Sequence, residues 1–314
     1  TIVLGILAAQ ITNYLIAEAV PAGSTDDFIL NSWNGQSGWR WMFWAGTVPA
    51  LLFFVLSFFI PESPRFLAKS GKSDSAFSIL KRIGGEAYAL QEQKEITETL
   101  QGTDSKIDWK ALRSKKVRPV LILGIVLAVF QQWCGINVIF NYADEIFTSA
   151  GYSVGDMLFN IVITGTVNLI FTVAAMRVVD SWGRRKLMLL GSSGLAIIYL
   201  ALGASYFFEL KGLAILVLVM VAIATYAMTL APITWVVLSE IFPNSVRGAA
   251  MAIATTALWI ACFVLTYTFP ILNKLLNASG TFWLYAFICL SGFLFILKKL
   301  PETKGKSLEE IEKM

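Results

Sequence analysis

Histidine is absent from this 314-residue sequence, and cysteine and charged residues are scarce. Without histidine, the chain has no imidazole for a proton relay or for a metal site. The three cysteines, Cys134, Cys262 and Cys289, form no CxxC pair, which argues against a metal site and against a disulfide framework. We therefore expect no metal and no cofactor, and we assign the cysteines to packing.

The low charge is matched by a high apolar content. Only 15% of residues are charged and 56% are hydrophobic, with a mean hydropathy of +0.67, which predicts an all-α integral membrane protein. Eight apolar segments reach the ~18 residues that a transmembrane helix needs. They cover 1–20, 39–60, 119–143, 156–179, 186–208, 212–238, 248–271 and 280–298.

Basic residues are distributed unequally between the two ends of these spans. All but three of the 25 Lys and Arg residues lie on the side of the connections after spans 2, 4, 6 and 8; the exceptions are Arg40, Lys211 and Lys274. The positive-inside rule makes that side cytoplasmic. The sequence thus predicts a multi-pass protein of the cell membrane, with a cytoplasmic linker and C-terminus. The same bias explains the basic isoelectric point of about 8.9, so we do not expect nucleic-acid binding.

Enzyme chemistry has no support in the sequence. There is no phosphate-binding loop, no arrangement of nucleophile and base, and no carboxylate pair within a span, so we expect no catalytic residues. The unusual polar feature is instead a set of side-chain amides, Gln131, Gln132 and Asn137, inside an apolar segment. Because hydrocarbon offers no hydrogen-bond partners, such amides must face other helices, water or a ligand, and together they indicate a polar, uncharged solute.

Gly135 lies between two of these amides. On an unbroken helix, Gln132 and Asn137 would point about 140° apart. We expect a kink or an unwound turn at Gly135 that lets both face inward. Hydrogen bonding between helices remains the alternative role for these amides.

Two spans end in the same way. Pro61-Glu62-Ser63 and Pro301-Glu302-Thr303 follow spans 2 and 8, as expected for two halves related by an axis normal to the membrane. Six spans separate them but only two precede the first, so we expect four further spans before this sequence. The predicted units are 1–60, the last two helices of an N-terminal six-helix bundle; 61–118, a cytoplasmic helical linker; 119–300, a C-terminal six-helix bundle; and 301–314, a cytoplasmic tail. Within the linker we predict a helix at 73–82 that ends at Gly84-Gly85, and further helices at 88–100 and 109–113.

Five motifs in this order resemble those of the sugar porter family of the major facilitator superfamily. They are Pro61-Glu62-Ser63-Pro64-Arg65, Gln131-Gln132-x-x-Gly135-Ile136-Asn137, Asp180-Ser181-Trp182-Gly183-Arg184-Arg185-Lys186, Glu240-Ile241-Phe242-Pro243-x-x-x-Arg247-Gly248 and Pro301-Glu302-Thr303-Lys304-Gly305. The resemblance extends over the whole chain. It implies the major facilitator fold with eight of its twelve transmembrane helices present, helices 5 to 12, and a substrate cavity between two bundles.

The resemblance also implies a set of substrate-binding residues: Gln131, Gln132, Asn137, Asn141, Asn168, Trp235, Trp259 and Ile6. Amides suit sugar hydroxyls, and tryptophan suits the apolar face of a sugar ring. The sequence departs from the family at Asn141, where many members have tyrosine, and at Leu258 and Cys262, where relatives often have Gln and Asn. These departures leave the identity of the sugar open.

Charged residues cluster at the predicted cytoplasmic helix ends. An exposed ion pair contributes only about 0 to 1 kcal/mol, but a shared network can bias a conformational equilibrium. We predict a gate in which Glu240 and Arg247 pair directly. Its members are Glu62, Arg65, Asp180, Arg184, Arg185, Glu240, Arg247 and Glu302.

The resemblance implies secondary active transport of a hexose or pentose, with sugar:proton symport as our expectation. The expected partners are a small sugar, protons and the lipid bilayer. A passive uniporter, a non-transporting sugar sensor and a drug or metabolite porter of the same fold remain alternatives. The resemblance places the carboxylate of a proton-coupled member on the first family helix, which this sequence does not include, so the sequence does not separate symport from uniport.

Overall fold

The computed structural model describes residues 2–18, 20–21, 24–101, 112, 114–115, 117–149, 151, 154–243 and 246–302. The side chains of residues 26, 98–101, 144, 149, 154–156 and 180 lie outside this description. Of the predicted linker helix at 109–113, only residue 112 is described, and the tail beyond residue 302 lies outside as well.

All regular secondary structure in the described part of the chain is helical. The first half contains α1 (Ile2–Ile16), α2 (Asp26–Asn31), a π-helical turn (Asn34–Gly38), α3 (Trp39–Ala45), α4 (Thr47–Ser57), α5 (Pro64–Lys69) and α6 (Ser73–Gln101). The second half contains α7 (Val117–Trp133), α8 (Ile136–Asn141), α9 (Ala143–Ser149), α10 (Val154–Trp182), α11 (Arg184–Phe207), α12 (Leu213–Met228), α13 (Leu230–Ile241) and α14 (Arg247–Lys299).

Seven of the eight predicted spans coincide with helical segments long and apolar enough to cross a membrane. Two of the seven, 248–271 and 280–298, lie within α14, whose 53 residues are interrupted by a left-handed conformation at Asn277 (φ 58°). These segments therefore follow the order of the predicted spans, and the membrane-protein class is confirmed.

The first predicted span is shorter in the structure than in the prediction. α1 has 15 residues and ends at Ile16, whereas the prediction extended to residue 20. The carboxamide of Asn34 explains the early end, because its Nδ2 donates to the Glu18 carbonyl (2.8 Å) and its Oδ1 accepts from the Glu18 amide (2.9 Å). The Trp33 indole also donates to the carbonyl of Ile16 (3.3 Å), which satisfies a helix-end acceptor.

The chain divides into two compact units, 1–42 with 108–314, and 43–107. In the second unit, α6 folds back on itself at Gly85 (φ 85°), so that Gln93 Nε2 donates to the carbonyl of Ser73 (3.2 Å). The break confirms the predicted helix end at Gly84-Gly85. Leu80, Ala89 and Ile96 form a small apolar core between the two halves of α6.

The first unit contains a large apolar core built from α7 to α14. Its most deeply buried large side chains include Tyr199, Tyr285, Phe147 and Phe242. These rings lie between the helices rather than on their outer faces, so the helices contact one another through aromatic and aliphatic side chains. This packing fixes the position of α7 and α8, which carry the predicted amides.

Candidate functional site

The helix that carries the predicted amides is broken at Gly135. Gly135 adopts φ 87° and ψ −5°, a left-handed conformation, between the end of α7 and the start of α8. A Cβ atom at this position would lie 2.8 Å from Cγ of Tyr285. Glycine is therefore required here both by the backbone angle and by the packing. The interruption confirms the predicted break between Gln132 and Asn137.

The break brings the amides into one hydrogen-bonded chain. Asn137 Nδ2 donates to Gln132 Oε1, and Gln132 Nε2 donates to Gln131 Oε1 (2.6 Å). Gln131 and Gln132 are only 4% and 6% exposed. Because each amide both donates and accepts, this chain can exchange partners with the hydroxyl groups of a solute.

Tyr226 on α12 extends the chain of amides, and the sequence analysis did not identify it. Its hydroxyl accepts from Gln131 Nε2 at 2.5 Å, so Gln131 is held from a second helix. A signal for Tyr226 was present in the sequence, since a tyrosine hydroxyl within an apolar span also needs a polar partner.

The first half of α14 contacts the same region. Asn137 Nδ2 lies 3.8 Å from Cys262 Sγ, and Asn141 Nδ2 lies 3.5 Å from Thr266 Oγ1. The indole of Trp133 donates to the carbonyl of Ala261 (3.1 Å). Cys262 thus contacts the amides from the position where the resemblance implies an asparagine.

The other predicted binding residues lie on separate helices. Asn168 is buried on α10 (8% exposed), and Trp235 on α13 is 39% exposed. Trp259 on α14 and Ile6 on α1 are 62% and 41% exposed. Among the described hydrogen bonds, none joins these four residues to the chain of amides. Their assignment to a binding site therefore stays a prediction.

α1 and α10 approach each other closely at Gly165. A Cβ atom at Gly165 would overlap Oε1 of Gln10, so a larger residue here would require the Gln10 carboxamide to move. Nearby, the rings of Tyr14 and Phe159 lie 5.9 Å apart between centroids. Gln10 is a polar residue that the sequence analysis overlooked, although it is an amide within an apolar segment, as Gln131 is.

At the predicted cytoplasmic end, an ion pair joins the start of α11 to the end of α13. Arg184 NH2 lies 3.1 Å from Glu240 Oε1, with side-chain exposures of 15% and 21%, and Arg184 Nε donates to the same oxygen (3.2 Å). The backbone amide of Arg184 donates to Glu302 Oε1 (3.0 Å). These contacts bring Arg184, Glu240 and Glu302 together.

The structure places Arg247 differently from the predicted pairing with Glu240. Arg247 Nε donates to the carbonyl of Phe242 (3.1 Å). The amide of Val246 donates to the carbonyl of Pro243 (3.1 Å), which brings Arg247 close to Phe242. Glu240 pairs with Arg184 instead.

The remaining predicted gate residues have different surroundings. Arg185 NH2 donates to the carbonyl of Leu297 (2.7 Å), which attaches α11 to the end of α14. Glu62 and Arg65 lie exposed in the 43–107 unit, and the side chain of Asp180 lies outside the described part of the chain. A shared gate that includes these residues stays a prediction.

Comparisons with known proteins identify the family. The model of the family described as "Sugar (and other) transporter" matches residues 1–314. The arabinose-proton symporter of Bacillus subtilis is 40% identical over 313 residues, covering 99% of this chain and 65% of the relative. The D-xylose-proton symporter of Escherichia coli strain K12 is 38% identical over 317 residues, covering 99% and 62%. The chain thus spans just under two thirds of the length of these relatives.

A solved structure agrees with this result. The inward open conformation of the xylose transporter XylE from E. coli matches with a TM-score of 0.81 at 36% identity, covering 99% of this chain and 63% of that chain. The family and the matched structure are those of membrane transporters rather than enzymes. With the family model matched from end to end, the chain belongs to the sugar transporter family of the major facilitator superfamily.

Proposed function

We propose that the complete protein transports a pentose or hexose across the cell membrane by alternating access, in symport with protons. The observation that carries this proposal is the hydrogen-bonded chain of Tyr226, Gln131, Gln132 and Asn137 around the helix break at Gly135. Relatives described as arabinose-proton and D-xylose-proton symporters support both the sugar and the coupling ion.

The chemistry of the amides fits a sugar better than a charged or an apolar substrate. A sugar hydroxyl donates one hydrogen bond and accepts others, and amides can meet both needs. Each bond to an uncharged group contributes about 1 kcal/mol, so several amides in register can bind a polyol without carrying a charge. Trp235 and Trp259 are proposed to cover the apolar face of the ring.

The contact between α1 and α10 supports a conformation open to the cytoplasm. In the proposed domain plan, 1–60 belongs to the N-terminal bundle, 61–118 to the cytoplasmic linker and 119–300 to the C-terminal bundle. The pairs Gln10–Gly165 and Tyr14–Phe159 then join the two bundles in their outer halves. Closure of the outer side accompanies opening of the inner side in alternating access, and the matched structure is described as inward open.

Uptake by liposomes that contain the complete protein tests the proposal. Labelled D-xylose, L-arabinose and D-glucose are offered with and without an imposed inward proton gradient. We expect at least one sugar to accumulate above its external concentration and the accumulation to collapse on addition of a protonophore. Protein-free liposomes measure the leak, and labelled L-glucose measures non-specific entry.

Three other outcomes would change the proposed function. Uptake that only equilibrates, with or without the gradient, would identify a uniporter. Binding of a sugar without uptake of any sugar would identify a sensor. If none of the three sugars binds, transport of a different metabolite replaces the sugar proposal.

The ion pair between Arg184 and Glu240 leads to a prediction for the gate. We expect R184Q and E240Q each to slow uptake and the double variant to be no slower than the slower single variant. The expected coupling is about 1 kcal/mol, a roughly fivefold departure from additivity in rate, because the pair is partly buried and in direct contact. Initial uptake rates of the four proteins, corrected for the amount reconstituted, give the coupling.

R247Q provides the matched comparison for this double-mutant cycle of R184Q and E240Q. If Glu240 acts with Arg184, the effects of R247Q and E240Q are additive, because Arg247 bonds to the main chain of Phe242. The opposite result would be additive effects of R184Q and E240Q on the uptake rate together with coupled effects of R247Q and E240Q. That result would favour the pairing of Glu240 with Arg247 that the sequence suggested.

A further inference from the structure

A cavity of about 520 Å³ is lined by residues other than the amides and the ion pair described above. It is bounded by the first turns of α7, the last residue of α13, the end of α14 and Pro301. Its lining residues are Arg118, Pro119, Val120, Ile122, Leu123, Ile241, Phe295, Lys299 and Pro301. All of these residues belong to one compact unit.

The lining combines an apolar body with two cations. Of the nine lining residues that the structure describes, seven are apolar and the other two are Arg118 and Lys299. Both cationic side chains are exposed, as is that of Ile122, so the cavity opens to the outside of the helices. A sugar hydroxyl both donates and accepts, whereas the described lining side chains offer donors on Arg118 and Lys299 and no acceptor. An occupant with an anionic head and a hydrocarbon chain matches both parts of the lining.

The position of Arg118 supports an anion in particular. Arg118 lies in the first turn of α7, whose start is capped by Ser114 Oγ, the acceptor for the Val117 amide (3.3 Å). A helix N-terminus has partial positive charge, which disfavours a cation and favours an anion. The helix dipole stabilises the positive charge of Lys299, because this residue lies in the last turn of α14, but it does not stabilise that of Arg118. An anion bound between the two side chains would stabilise both charges.

The location of the cavity indicates where the anion comes from. By the positive-inside distribution, Arg118 and Lys299 lie at the cytoplasmic boundary of the membrane. Anionic headgroups are found at this level, and basic pockets between transmembrane helices are known to bind them. Topogenic charge explains a cation near a span end, but it does not explain two cations in the wall of one apolar cavity.

We propose that this cavity binds one anionic phospholipid of the cytoplasmic leaflet. The phosphate lies between Arg118 and Lys299, and one acyl chain runs along Val120, Leu123 and Phe295. Arg118 belongs to the helix that carries the amides, so the lipid contacts the same helix as the proposed substrate. The proposal does not depend on the identity of the sugar or on proton coupling.

Native mass spectrometry of the complete protein tests the proposal. The protein is equilibrated in detergent with equal amounts of a phosphatidylglycerol and a phosphatidylcholine that have the same acyl chains. We expect phosphatidylglycerol to be retained roughly 10- to 30-fold more than phosphatidylcholine, which corresponds to two cations at the membrane surface. In R118Q/K299Q, the preference is expected to fall close to parity.

Matched variants separate a site from general charge. R82Q/R177Q removes two exposed cations on the same predicted side that do not line the cavity, and it is expected to keep the preference. R118K/K299R keeps both charges and is also expected to keep the preference. The single variants R118Q and K299Q remove one charge each and are each expected to lower the preference about fivefold, so the test survives if R118Q/K299Q does not fold. Equal retention of the two lipids by the unmodified protein, or equal loss in R118Q/K299Q and R82Q/R177Q, would overturn the proposal.

A soluble competitor distinguishes a lipid from a headgroup alone. Glycerol phosphate in large excess is expected to leave phosphatidylglycerol bound, because the acyl chain contributes most of the apolar contact. Displacement by glycerol phosphate would show that the cavity binds a phosphate group alone, and it would overturn the proposed binding site for the acyl chain.

Discussion

Replacing Gln132 with alanine is expected to weaken sugar binding roughly 10- to 100-fold. Gln132 is the middle member of the chain of amides, donating to Gln131 and accepting from Asn137. Its removal takes away the proposed bond to the sugar and also the donor to the buried Gln131 Oε1, and an unsatisfied buried group costs about 1 to 3 kcal/mol. Equilibrium binding of the sugar identified by the uptake panel measures the change.

Asn160→Ala is the matched control for Gln132→Ala. Asn160 is also a buried amide within a span, 5% exposed on α10, but it is not among the predicted binding residues. We expect it to leave affinity unchanged. A Gln132→Ala protein that folds normally and binds sugar as tightly as Asn160→Ala would show that the chain of amides serves helix packing and not the substrate.

Gly135→Ala is expected to destabilise the protein by about 3 kcal/mol. A residue with a Cβ in the left-handed conformation costs about 1 to 2 kcal/mol, and the added atom would lie 2.8 Å from Cγ of Tyr285. The melting temperature of the purified protein should fall by roughly 5 to 10 °C. Gly248→Ala is the control, since its Cβ would meet no atom within 4 Å and alanine favours helix.

The two causes of this destabilisation can be separated. In a Tyr285→Ala background the steric contact is gone, so Gly135→Ala should cost only the backbone part, about 1 to 2 kcal/mol. Equal melting temperatures for Gly135→Ala and Gly248→Ala would mean that the break tolerates a side chain, and the conformation at Gly135 would then be unimportant for stability.

Features set by local chemistry were predictable from the sequence. Seven spans agree with the structure because about 18 consecutive apolar residues determine a membrane helix without reference to its neighbours. The breaks at Gly85 and Gly135 followed from glycine at a helix end or between two amides that an unbroken helix would separate. The end of α1 was missed because it depends on Asn34, 16 residues beyond Glu18.

Features set by the arrangement of helices were not predictable. A helix that is apolar on all sides carries no information on its rotation, so the sequence could not show that Tyr226 meets Gln131 or that Gln10 meets Gly165. Charges at several helix ends are interchangeable in sequence, and only the fold places Glu240 beside Arg184. For Asn168, Trp235, Trp259 and Ile6 the helices are known, while a shared site remains a prediction.

The contact between Asn137 and Cys262 has a practical consequence. Of the three thiols in the chain, those of Cys134 and Cys289 are buried at 0% exposure, whereas Cys262 is partly exposed. A small alkylating label should therefore react with Cys262 much faster than with Cys134 or Cys289, so the other two cysteines need not be mutated. A fluorophore carried there would lie beside the helix break, and its emission would report on the sugar binding and bundle movement proposed above.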